Sequence, residues 1–155
     1  MRVWRIATAS HRQFDGAGPR RHGSRWTPKG QAAVYASATL SLAALERFVH
    51  TDPDLDAPDL VAISIDIPTG VVIHSLDPSD LPADWREYPA PDALARIGDS
   101  WLREATTGIL AVPSAVIPHE RNYLLNPAHS DVARLVIGRS EPFGFDPRMW
   151  KRSRR

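Results

Sequence analysis

A chain of 155 residues, 43% hydrophobic and 24% charged, suits one globular domain around one core and excludes a disordered polymer. It contains no cysteine, which rules out disulfides, thiolate metal sites and a cysteine nucleophile. The net charge of +1 is uneven: the last eight residues, RMWKRSRR, hold five cations and no acid, so setting them aside turns +1 into −4, and a nucleic-acid role would have to reside in that tail.

Arg2 to Ala7 reads as a first strand with alternating faces. Residues 11–30, rich in Gly, Arg, Pro and His, read as a long loop, and 32–36 as a short strand. Residues 39–50 (TLSLAALERFVH) read as a helix capped by Ser37 or Thr39. Residues 59–67 alternate strictly, with Val61, Ile63, Ile65 and Ile67 on one face of a half-buried strand. Val71 to Ser75 is expected to pair beside it after the Pro-Thr-Gly turn.

Residues 76–90 read as an irregular connection, and 92–106 as a second helix between Pro91 and Gly108. Residues 109–118 make one or two strands around Pro113, 119–127 a loop, and Arg134 to Gly138 a closing strand. Fourteen prolines keep every helix short. The fold class is α+β, with short mixed strands and flanking helices, in one domain over 1–147 followed by a basic tail at 148–155. That tail reads as a solvated end. The opening MRVWRIATAS lacks the apolar run of a signal peptide, and eighteen consecutive apolar residues occur nowhere, so a cytoplasmic address is expected.

Common catalytic motifs are missing. Gly16-Ala17-Gly18 follows no strand, and Pro19, Arg20 and Arg21 stand where a dinucleotide-binding helix should open. His119-Glu120 begins like a zinc-protease motif, but position 123 is tyrosine, and the six histidines show no ligand spacing; no metal and no cofactor are expected.

Glu46 is more informative. Glu46 and Arg47 are the only charges on an otherwise apolar helix, and a carboxylate there is paired, neutral or turned to a cleft. A narrow solvent stripe made of the two is the plainer alternative. In Gly23-Ser24-Arg25-Trp26-Thr27, an arginine and a tryptophan in a glycine-rich loop can hold a phosphate and stack on a ring, although Trp26 serves equally as a core anchor. Tyr35 adds an aromatic with a polar end, and Ser114 sits between apolar pieces after Pro113, as a small hydrogen-bonded serine would.

Taken together, GSRWTPKG (23–30), VYAS (34–37), AALE (43–46), VPSAVIP (112–118) and NYLLNP (122–127) resemble the RES domain, a family named for an arginine, a glutamate and a serine. Thr27 departs from the asparagine frequent after the tryptophan. The resemblance implies a fold similar to mono-ADP-ribosyltransferases, and a toxin silenced by an Xre-like helix-turn-helix antitoxin that itself binds DNA. It implies an enzyme that degrades NAD⁺ at the nicotinamide–ribose bond, by hydrolysis or phosphorolysis. The alternatives are transfer of ADP-ribose to a protein, or a non-catalytic module. Arg25, Glu46 and Ser114 match the name-giving residues, and Tyr35 an aromatic of the pocket. On this basis Glu46 is expected to stabilise the ribosyl cation, Arg25 to grip the pyrophosphate or adjacent ribose, Ser114 to orient the nicotinamide ribose, and Tyr35 to stack on nicotinamide, with Trp26 nearby. A structural Glu46–Arg25 salt bridge is the competing reading.

Overall fold

The computed structural model describes residues 1–51 and 59–149. Seven strands form one sheet: β1 (Arg2–Thr8), β2 (Val34–Ser37), β3 (Leu60–Asp66), β4 (Ile73–Ser75), β5 (Ile109–Pro113), β6 (Arg121–Leu125) and β7 (Val136–Phe143), in the order β4-β5-β6-β2-β1-β3-β7. Every neighbouring pair is antiparallel except β4 with β5. Among the described residues three α-helices accompany it: α1 (Ala17–His22), α2 (Leu40–Phe48) and α3 (Asp92–Glu104). No helix among the described residues is long and apolar enough to cross a membrane.

Strand alternation divides the core in two. Val34 and Ala36 of β2, Ile109 and Ala111 of β5, and Tyr123 and Leu125 of β6 join Val3, Ile65 and Ile67 on one face. On the other face Leu110, Val112 and Leu124 pack with Trp85 and with Leu94 and Trp101 of α3, and Trp26 is buried among them. Tyr35 packs against this second cluster, so its alternation partner Ser37 shares that face, as Asn122 shares it with Leu124.

Five expectations change. Val71 to Ser75 was expected beside the third strand, but β1 and β7 occupy both edges of β3, and β4 instead pairs in parallel with β5 at the far edge. The expected loop at 119–127 contains β6: Tyr123, Leu124 and Leu125 are all buried, so this central strand lacks the alternation that marks a half-exposed one. The expected loop at 11–30 contains α1, where Pro19 falls in the first turn and its missing N–H would have had no helical partner anyway. Gly16 precedes α1 with φ +66°, and an added Cβ there would lie 2.6 Å from the Ala33 nitrogen. Finally, α3 is stopped by Ala105 in the left-handed region (φ 47°), not by Gly108, which is buried at the entry to β5. The closing strand also runs further than expected, through Phe143.

Thr39, not Ser37, caps α2: its hydroxyl accepts from the Leu42 amide at 3.0 Å. At the other end of α2, Phe48 meets Phe145 edge-on at 5.5 Å between centroids, and Phe145 meets Phe143 at 5.3 Å. Of the basic tail, residues 150–155 lie outside the described residues; Arg148 is engaged by Asp146 at 2.8 Å.

Candidate active site

Helix α2 packs against β1 and β2 and carries Glu46. Its start is tied to the β5–β6 turn, because the Thr39 hydroxyl donates to Glu120 Oε2 at 3.0 Å. Glu46 is half-buried. Its Oε1 accepts two hydrogen bonds, from Ser114 Oγ at 2.7 Å and from Asn122 Nδ2 at 2.5 Å. Among the described residues no hydrogen bond reaches Oε2, and Oε2 is not one of the fully buried polar atoms left without a partner. The narrow solvent stripe is thereby replaced: Glu46 is a carboxylate clamped through one oxygen.

Ser114 is fully buried, immediately beyond β5. Its oxygen accepts from the amides of Val116 at 3.1 Å and Ile117 at 2.9 Å, so its single hydrogen goes to Glu46. The Ser114 amide donates to the Glu120 carbonyl at 3.0 Å, closing the turn. A hydroxyl with three partners and no exposed surface holds a carboxylate in place; it has no lone pair or proton left for a ligand.

Arg25 lies in the turn between Gly23 and Thr27, where Ser24 and Thr27 pair backbone to backbone. Its guanidinium donates to the carbonyls of Trp85 at 2.7 Å and Glu87 at 3.1 Å. Burial pushes the Arg25 guanidinium below its ordinary value, while the Glu46 carboxylate pulls it back up. No ion pair joins the two among the described residues. The competing salt-bridge reading is corrected accordingly: the two side chains are anchored separately, Arg25 by main-chain carbonyls and Glu46 by two neutral donors. Arg86 ties the same 85–87 segment to the Ala115 carbonyl at 3.3 Å, so this segment bridges the Arg25 turn and the Ser114 turn.

Tyr35 uses its hydroxyl on this turn, bonding Ser24 Oγ and, at 3.2 Å, Thr27 Oγ1. Burial pushes its phenol up. Trp26 leaves only 3% of its surface exposed, which is the core-anchor alternative in structural form. Helix α3 reaches it through Gly98, where an added Cβ would stand 1.7 Å from the Trp26 carbonyl oxygen. Sequence reasoning did not single out Asn122 or Ser37 as site residues. Their signal is period two: each occupies the helix-covered face of a strand where an apolar residue belongs.

No group of three His, Asp or Glu side chains able to hold a metal ion occurs among the described residues. The RES domain family is matched over residues 2–146.

The chain belongs to the RES-domain family.

Two similar proteins extend the comparison. Toxin Res of Yersinia enterocolitica (serotype O:8 / biotype 1B) is 37% identical over 138 residues, covering 88% of this chain and 90% of that one. The Prs ADP-ribosylating toxin of Sphingobium sp. (strain YBL2) is 32% identical over 164 residues, covering 97% of each. Both relatives are named as toxins. The RES fold is also seen in a chain of the crystal structure of the M. tuberculosis MbcT-MbcA toxin–antitoxin complex, with a TM-score of 0.76, 17% identity, and coverage of 92% of this chain and 83% of that one.

Proposed function

We propose that this RES protein is the toxin of a toxin–antitoxin pair and that it cleaves the nicotinamide–ribose bond of NAD⁺. One observation carries the reading: Glu46 is a carboxylate fixed through Oε1 by two neutral donors, with no hydrogen bond to Oε2 among the described residues. In the reaction, the bond between the ribose anomeric carbon and the nicotinamide nitrogen breaks, and its electron pair leaves with neutral nicotinamide. A positive charge then develops on the ribose, as in glycoside hydrolysis. A preorganised negative oxygen stabilises that charge without having to rearrange at the moment of reaction. The cation is captured by the oxygen of water or phosphate, which releases its proton to solvent.

Arg25 contributes positive charge for the pyrophosphate. Two of its five N–H donors are used on the Trp85 and Glu87 carbonyls, which fixes the direction in which the others point. Ser114 works through Glu46, and Tyr35 through the turn that carries Arg25.

A second reading is favoured by the Sphingobium relative, whose name describes an ADP-ribosylating toxin. There the acceptor is a side chain of a protein, and everything up to the ribosyl cation is shared. The partner in both readings is an Xre-like helix-turn-helix antitoxin that silences the enzyme and reaches DNA on its behalf; the resemblance to a toxin from a toxin–antitoxin complex supports a partner of this role.

The test is NAD⁺ consumption by the purified chain, with and without phosphate, with product analysis and Glu46→Gln as control. Free ADP-ribose or its 1″-phosphate supports the first reading, and label from NAD⁺ retained on protein supports the second. Intact NAD⁺ with no labelled protein, from a folded and partner-free chain, rejects both.

A further inference from the structure

Asn122 stands in the interior of the sheet, Cα to Cα opposite Ser37 on β2 and Val112 on β5, while Ser37 in turn faces Trp4 on β1. Its backbone is therefore held from both sides. Its side chain is held as well. A carboxylate oxygen only accepts, so the amide must turn Nδ2 toward Glu46 Oε1. Oδ1 then faces Ser37, whose hydroxyl donates to it at 2.7 Å. Ser37 is 4% exposed, so water does not compete for that proton. Hydrogen bonds to a charged acceptor are the stronger kind, and here the donor comes from a strand interior, not from a loop.

We propose that Asn122 is a positioning residue for the cleavage reaction: together with Ser114 it fixes the rotation of the Glu46 carboxylate, and Ser37 fixes Asn122. Ser114 alone would leave Glu46 free to swing about one contact. Two donors on the same oxygen, one from the end of β5 and one from within β6, define the plane of the carboxylate and with it the direction of Oε2. The inference rests on the reading of Glu46 as the carboxylate that faces the ribosyl cation.

Two measurements test it. The first is kinetic. Asn122→Ala is expected to lower kcat for NAD⁺ cleavage about 10–100-fold, the range for a hydrogen bond to a charged group, with KM changed less than about threefold. Asn122→Asp keeps the shape and packing but replaces the donor with an acceptor, and is expected to lose at least as much. Ser37→Ala is expected to cost about 3–10-fold alone and nothing further in the Asn122→Ala background, because it acts through the amide. The second measurement needs no activity. The side-chain NH₂ pair of Asn122 in ¹⁵N–¹H spectra is expected to exchange slowly with water, and to lose that protection in Glu46→Ala. Full activity in Asn122→Asp, or an Asn122 amide that exchanges like an exposed one in the wild type, overturns the proposal. A protected amide in a wild type that leaves NAD⁺ intact overturns the catalytic reading, and the proposed role with it, while leaving the contact itself standing, so the two failures are distinguishable.

Discussion

Ser114 Oγ donates to Glu46 Oε1 at 2.7 Å across 68 positions of sequence, and the direction of that bond is forced because the same oxygen already accepts from two backbone amides. Ser114→Ala removes a donor from a carboxylate and leaves the Val116 and Ile117 amides short of an acceptor. The expected outcome is a drop in kcat of about 10–100-fold and a loss of about 1–3 kcal/mol in stability. Enzyme assays paired with urea unfolding check both. An unchanged rate with lowered stability would reduce Ser114 to a turn-closing residue.

Glu46→Gln and Arg25→Ala test the separation of the two charges. Because neither is the other's ion-pair partner, removing one leaves no buried, unpaired charge behind. Each variant is expected to stay folded, within about 1–2 kcal/mol of wild type, while activity falls by at least about 100-fold. Circular dichroism and thermal melts report the first part and NAD⁺ assays the second. Arg25→Lys is expected to resemble Arg25→Ala, since a single ammonium cannot reproduce the fork that spans two carbonyls.

Gly98→Ala places a methyl group where the Trp26 carbonyl oxygen now lies, 1.7 Å from the new Cβ. Backbone rather than a flexible side chain must then move. A loss of about 1–3 kcal/mol or more is expected. Trp26 is the neighbour of Arg25, so NAD⁺ binding should weaken as well; urea midpoints and a binding titration measure the two effects. A variant as stable as wild type would show that α3 can shift without disturbing the turn.

Tyr35 supplies a pH dependence. Its phenol is pushed above the ordinary value of 10.0, chiefly by burial, against the opposing pull of its bonds to Ser24 and Thr27. Above pH 10 the unfolded chain therefore loses this proton more readily than the folded one. Folded stability is complete below that point and declines as pH rises toward the folded-state value. Tyr35→Phe is expected to flatten this decline, though not abolish it, because burial raises Tyr123 in the same direction. Thermal melts from pH 8 to 11.5 give the comparison. Identical slopes in both proteins would mean that Tyr35 is not the titrating group.

How much of this was legible beforehand differs from residue to residue. The first strand, the strand at 60–66 and helices α2 and α3 follow from local periodicity, since each exposes one side to solvent or to a different layer. Strand β6 does not, because the middle of a sheet buries both faces and erases the alternation. The place of β4 was hidden for another reason: pairing is decided by which edges are free, and both edges of β3 were taken by residues far away in sequence. Glu46, Arg25 and Ser114 stood out by resemblance and by residue type. Asn122, which bonds Glu46 as Ser114 does, and Ser37, which bonds Asn122, looked like ordinary strand polar residues.

The amino-acid sequence by itself determined the family, the three named side chains and the absence of any thiol chemistry, because these depend only on which residues occur and in what order. Tertiary structure alone decided what those side chains touch. It showed Arg25 bonded to carbonyls instead of to Glu46, and Ser114 turned inward to hold a carboxylate. The reason is that hydrogen-bond partnership is a matter of distance and direction. Ser114 and Asn122 each come within 3 Å of Glu46 only after the strands of the sheet have found their neighbours.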